Sequence, residues 1–319
     1  MESNINKMLN GKTVSFVGGL TVAALAILFV GLETKNAAFA QGSPVTFKSP
    51  SEAGAEVVQA AGRGDGPALA KILGPQVTAL LSTGDKKADK DAMEAFVSKY
   101  NKMNRWVDMT DGSRVLYIGA DNFAFPVPLA KNPSGRWYFD AVAGAQEIRA
   151  RDIGRNELLT IDACAAIVNA QESYFTNVGS LHEFAERIIS TSGKQDGLYW
   201  PATEITGPSP LANLEKLPRS SVGSNLSQDR LILDGYTLRI LPAQGDAAPG
   251  GTRSYIVDGR MTDGFAVLAT PVKYGETGIV TFMAGRDGTV YERDLGPDTV
   301  KIAASIQEFN PTEDWSPVE

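Results

Sequence analysis

Cys164 and His182 are the single cysteine and the single histidine of the chain, so any thiolate–imidazole couple would have to use both. A cysteine nucleophile needs a base within hydrogen-bond reach. Cys164 lies in the run Asp162-Ala163-Cys164-Ala165-Ala166, whose small residues suit helix packing. Free cysteine is among the most buried residue types. The expectation is therefore a core thiol and no catalytic residue. His182 has no Gly-x-Ser-x-Gly elbow to serve. One cysteine excludes an internal disulfide, a Cys-x-x-Cys redox pair and a thiolate zinc site, and one histidine excludes a multi-histidine metal site. No metal and no cofactor is expected.

Carboxylates offer the other chemistry. Asp196, Asp234, Asp246 and Glu276 fall in or beside turn-rich segments, and a facing pair of carboxyls can cleave a glycan by acid–base catalysis. Tyr199 and Trp200 supply rings on which a sugar could stack. Asp196, Tyr199, Trp200 and Asp246 are accordingly the candidate binding residues. In the simpler reading the carboxylates are solvated and Tyr199-Trp200-Pro201 anchors a loop. Gly62-Arg63-Gly64-Asp65-Gly66 resembles a phosphate cradle, but Pro67 replaces the third glycine of a dinucleotide fingerprint and no strand precedes it; a helix-to-helix turn is expected. Asp287-Gly288 lacks the ligand series of a calcium loop and reads as a turn.

The elements that must hold these residues follow from pattern. Residues 1–13 carry Lys7 and Lys12, residues 14–32 carry no charge, and Ala38-Phe39-Ala40 precedes Gln41. That is the plan of a secretory signal cleaved after Ala40, with an uncleaved membrane anchor as the alternative. Export to the periplasm or cell envelope is expected, with membrane contact through this segment alone. The 319 residues hold 30 Lys plus Arg against 37 Asp plus Glu, a net charge of −7. An acidic chain is a poor nucleic-acid binder, because such binding relies on cations neutralising phosphates. Apolar residues make up 43% of the chain, enough for real cores.

Two α+β domains are expected, at 41–146 and 147–319. In the first, Ser49-Pro50-Ser51-Glu52 is a capping box that opens a helix, Asp65-Gly66-Pro67 opens a second that stops at Gly74-Pro75, and Met93, Phe96, Val97 and Tyr100 share the face of a third. Short strands are expected over 114–119, 123–129 and 136–140, the middle one weakened by Pro126 and Pro128. In the second domain a long helix over 147–177, with Leu158, Ile161, Ala165, Val168 and Phe175 near one face, precedes two helical turns at 181–189. An irregular stretch follows at 192–225, then an antiparallel meander at 236–241, 254–261, 264–270, 278–283 and 289–294. Asp298 is expected to start a last helix with Val300, Ile302, Ile306 and Phe309 inward. Binding to a partner would use the 192–225 region and the 242–253 loop.

Ile153-Gly154-Arg155-Asn156-Glu157-Leu158, Ala170-Gln171-Glu172-Ser173-Tyr174, Asp196-Gly197-Leu198-Tyr199-Trp200-Pro201 and Asp287-Gly288-Thr289-Val290-Tyr291 form a recognisable series with Ile72-Leu73-Gly74-Pro75 and Trp137-Tyr138-Phe139-Asp140. Together they resemble the exported bacterial family catalogued as domain of unknown function 2950, over nearly all of 47–315. The resemblance implies export and a two-part build, and no catalytic residue. The second half is also similar, more weakly, to the globular head of a pilin or pseudopilin, a long helix against an antiparallel sheet. Pilins run their apolar membrane helix straight into the head helix, which this chain does not, so polymerisation is not implied. The function expected is a non-enzymatic exported factor that binds an envelope protein or a cell-wall component. The alternatives are a periplasmic hydrolase acting on glycan or peptide through loop carboxylates, and a small-ligand carrier built on the first domain's sheet around Trp106, Tyr117 and Trp137.

Overall fold

The computed structural model describes residues 44–178, 182–212 and 230–318. The expected signal segment, 1–40, and residues 213–225 of the expected partner-binding stretch lie outside them. The fold is mixed α+β, and the chain divides into two compact units, one up to Ile148 and one from Arg149.

Among the described residues of the first unit, four helices precede a small sheet. The Ser49 hydroxyl accepts from the Glu52 N–H at 3.2 Å to cap α1 (Pro50–Gly62), while the Glu52 carboxylate accepts from the Lys48 N–H. Asp65 caps α2 (Gly66–Leu73) by accepting from the Ala68 N–H at 3.0 Å. Helix α3 (Pro75–Leu81) follows after a single residue, and Asp85 caps α4 (Lys86–Lys102) through the N–H groups of Lys87 and Ala88. Each cap answers backbone donors that a helix start leaves unpaired.

The sheet is antiparallel, in the order β1 (Asn104–Asp108), β2 (Arg114–Ile118), β4 (Leu129–Lys131), β5 (Trp137–Phe139), with β3 (Phe123–Ala124) also paired to β2. The expected strand at 123–129 is broken in two because Pro126 and Pro128 have no N–H for the ladder. Strand β1, absent from the sequence expectation, supplies Trp106 opposite Leu116. Phe47, Phe96, Phe125 and Phe139 are buried between helices and sheet.

Helix α5 (Ala141–Asn177) starts earlier than expected, because the Asp140 carboxylate accepts from the Val142 and Ala143 N–H groups at 3.0 Å each. In the second unit Cys164, Ile167 and Val168 are buried on this helix, whereas Leu158 is 67% exposed and does not share their face. The expected helical turns at 181–189 do not form over the described residues 182–189. The fully buried Gln171 amide takes both backbone groups of Ala185, donating to its carbonyl and accepting from its N–H at 2.8 Å each. The Tyr174 hydroxyl donates to the Gln195 carbonyl at 2.9 Å. Side chains of α5 thus hold the following segment against the helix.

The main sheet of this unit contains β6 (Leu231–Leu233), β7 (Tyr236–Leu241), β12 (Ala266–Pro271), β13 (Val280–Gly285), β14 (Val290–Asp294) and β16 (Ser316–Pro317), in the order β16-β14-β13-β12-β7-β6. It is the expected meander with a short-stranded insertion between β7 and β12: β8 (Ala243–Gln244), β9 (Arg253–Ser254), β10 (Ile256–Val257) and β11 (Arg260–Met261). The strand expected over 254–261 is instead a hairpin, turned by Asp258-Gly259 at φ of 51° and 77°. Asp234-Gly235 does the same between β6 and β7 at 45° and 80°. Positive φ at both turn positions is what a two-residue hairpin with the native strand twist requires. Helix α6 (Thr299–Ser305) forms, but Val300 and Ile302 face solvent and Thr299 and Ala303 are buried in their place. Strand β15 (Glu308–Phe309) then pairs with β8 in parallel and buries Phe309.

Gly74 joins α2 to α3 at a φ of 93°, and a Cβ there would lie 2.7 Å from the Ala141 Cβ. Both the left-handed backbone and the close approach select glycine. The Gly74→Ala variant is expected to lose about 2–3 kcal/mol of stability, from backbone strain and overpacking together. Chemical denaturation of the two proteins side by side checks this.

Candidate binding site

The first unit holds an apolar cavity of about 460 Å³ lined by residues of α1–α4 and the 123–126 stretch. Its floor is built from buried Val57, Ala61, Leu73, Ala92, Phe96 and Phe125, and exposed Pro75, Ala79 and Ser82 stand at its rim. The volume falls in the range of small-molecule sites. Its lining side chains come from two sources. Apolar positions at helical spacing on α1, α2 and α4 turn toward the sheet, and the Phe123–Pro126 stretch runs beneath them as an interrupted strand.

Thr78, Ser82 and Asp89 are the polar side chains of the lining. Asp89 sits in the first turn of α4. It accepts from the Ser82 hydroxyl at 2.6 Å, the Thr83 hydroxyl at 2.6 Å and the Thr83 N–H at 2.8 Å. Burial acts to raise its pKa, but these three donors outweigh burial and hold the carboxyl below its ordinary value. It is an anion fixed in place.

None of the candidate catalytic or binding residues named from sequence lines this cavity; Gly66, Leu73, Pro75, Met93, Phe96 and Pro126, read there as turn, helix-packing, helix-stop and strand-breaking residues, do. Residues 62–66 form the turn between α1 and α2, as expected. Trp106, Tyr117 and Trp137 do not form one site. Trp106 pairs with Leu116, and Tyr117, one residue on, points to the opposite face of β2. The Tyr117 ring stacks under Arg105, and buried Trp137 lies between Arg114 and Lys131 at 5.1 Å and 4.6 Å.

In the second unit, Asp196 accepts from the Thr191 N–H at 2.7 Å and the Thr191 hydroxyl at 2.8 Å, with Arg187 at 3.9 Å. Burial opposes and these partners favour the charged form, and its pKa is lowered. Tyr199 pairs its backbone with Ile188 and Ser190. Trp200 is buried, donates its indole N–H to the Gly207 carbonyl at 3.3 Å and borders a cleft of about 460 Å³ with Gln195, Thr206 and Ser209. Asp246 is exposed and meets Asn310 at 3.4 Å, well apart in role from the Thr191–Asp196 brace. Asp234 occupies a hairpin turn, and Glu276 pairs with Lys273 at 3.4 Å. Cys164 is fully buried, which pushes its thiol up to about 12. His182 is exposed, with its ring 5.5 Å from Phe175.

Sequence reasoning passed over Glu157 and Glu292. Glu157 accepts from the N–H groups of Ile279 and Val280 at 2.9 Å and 3.3 Å. Glu292 has a raised pKa, first from burial and then from the Glu157 charge. A helix residue and a strand residue 135 positions apart leave no local pattern that announces such a pair. A folded-state pKa above the unfolded value adds stability at acid pH that is lost as pH rises through the folded value. Glu292→Gln is therefore expected to raise Tm at pH 7 by on the order of 1–2 °C, the size a partly exposed repulsion supports. The gain closes below the ordinary glutamate range. Thermal melts across pH 3–8 measure both.

None of the curated proteins and none of the solved structures compared with the chain matches it significantly. A family model described as "Protein of unknown function (DUF2950)" matches residues 45–318, so the cavity, the Gln171–Ala185 clasp and the meander all lie inside the matched span, and the chain belongs to that family.

Proposed function

We propose that the chain is an exported protein of the bacterial cell envelope that works by binding, and that its first unit takes an apolar ligand. The observation that carries this reading is the 460 Å³ cavity under α1–α4, apolar on its floor and bounded by a unit whose other aromatic side chains are packed. An apolar cavity of ~150 Å³ already holds benzene, so this one has room for roughly three times that hydrocarbon. The basic–apolar–small-x-small order of residues 1–40 supports export with cleavage after Ala40. No helix among the described residues is long and apolar enough to cross a membrane.

The surroundings of the expected chemical groups favour binding over hydrolysis. Asp196 is engaged by Thr191 as a brace of its own loop, and Asp246 is exposed beside Asn310. The 192–212 segment and the 242–253 loop remain the surfaces for an envelope-protein or cell-wall partner. Supporting the pilin-head comparison for the second unit is its order of long helix followed by antiparallel meander.

Titration with a neutral naphthylamine fluorophore tests the ligand reading. Saturable enhancement with a Kd on the order of micromolar is expected for the purified full-length protein. Ala79→Trp, which adds bulk at an exposed rim position, should weaken it at least tenfold without lowering Tm. An unsaturable signal, or one that Ala79→Trp leaves intact, would overturn the proposal. Export is checked separately, by fractionation and the mass of the mature amino terminus.

A further inference from the structure

The floor of the first unit's cavity is suited to a hydrocarbon tail, and its rim carries information about the head. Asp89 is the ionisable side chain in the lining, held as an anion by Ser82 and Thr83. No lysine or arginine lines the cavity among the described residues. Three cations of the neighbourhood are already paired. On α4, Lys87 meets Asp91 at 2.7 Å and Lys90 meets Glu94 at 3.6 Å. Lys99, whose ammonium lies 5.8 Å from the centre of the cavity-lining Phe123 ring, is bound to Asp121.

A carboxylate-headed chain entering this cavity would bring a second anion to the rim beside Asp89 without a lining cation to meet it. An ammonium head would meet a fixed counter-charge whose own hydrogen bonds already hold it in position, so no reorganisation is needed to receive it. Thr78 and Ser82 add hydroxyl oxygens to the lining, whose partial negative charge also favours a cationic head. We propose that the first unit's cavity binds a single-chain amphiphile with an ammonium head in preference to the same chain ending in a carboxylate, with Asp89 as the discriminating residue. This rests on the apolar-ligand reading of the cavity.

Displacement of the naphthylamine fluorophore from the full-length protein separates the two claims. The competitors are dodecyltrimethylammonium and dodecanoate, each kept below its micellar concentration. Dodecyltrimethylammonium is expected to displace the probe at a concentration about tenfold lower than dodecanoate. Asp89→Asn keeps an oxygen acceptor for Thr83 and should reduce that ratio to about two or less. If the variant fails to fold, added salt serves the same end in the unmodified protein, since screening should shrink the ratio between 20 mM and 500 mM sodium chloride. Equal displacement by both chains, or a ratio untouched by Asp89→Asn and by salt, would overturn the head-group preference while leaving the apolar site standing. Probe binding that neither chain displaces would overturn the site itself, and the preference with it.

Discussion

The bend at Gly74 is the constraint on which the first unit's architecture turns. At a φ of 93° and 2.7 Å from where its own Cβ would meet Ala141, this residue ends one helix and starts the next with no linker. The two helices it joins have eight and seven residues, so they reach only about 12 Å and 10 Å. Leu69 and Leu73 of the first and Pro75 and Ala79 of the second line the cavity. Folding would ordinarily close such a gap, since interiors approach crystalline packing and voids forfeit dispersion contacts. This one stands open, with Phe96 and Phe125 at 5.3 Å beside it and packed, and the proposed binding role rests on it.

The second unit answers a different problem, how to order a long stretch with few regular elements. Gln171 and Tyr174 on α5 do this by offering side-chain partners to the backbone of Ala185 and Gln195. A buried amide that satisfies both groups of one residue substitutes for a strand neighbour, and leaving either unmet would be costly at that depth. Arg286 extends the clasp from the sheet side, holding Glu172 at 2.7 Å and lying 5.0 Å from the Phe184 ring. The Ala170–Tyr174 motif is thereby explained as fastening, and the polar groups around Asp196 read the same way. Elsewhere in this unit Tyr236 is fully buried with its hydroxyl on the Val280 carbonyl, and Gly278 lacks a side chain because one would run into that hydroxyl.

Electrostatics separates carboxylates that brace a loop from one that braces a loop and also lines a cavity. Asp196 and Glu157 each neutralise backbone donors of neighbouring segments. Asp89 does so too, and among the described residues it is the ionisable side chain that lines the first unit's cavity. The distinction lies in what surrounds the carboxylate rather than in the residue type, and residue type and spacing do not carry it.

Local features were legible in the amino-acid order. Capping at Ser49 and Asp65, the stop at Gly74-Pro75, the proline break near 126–128 and the meander's strands each depend on interactions within a few residues, where spacing and chemistry suffice. The burial of Cys164 was legible for the same reason, from the small residues around it. Only the tertiary structure decided that residues 182–189 form no helix, because the groups that hold Ala185 sit on α5. It also decided that Val300 and Ile302 face solvent, since a seven-residue helix can turn either side to a sheet. The cavity belongs to this second kind. It is the space left when four helices and an interrupted sheet meet, a property of distances between elements, and sequence spacing within any one of them does not encode it.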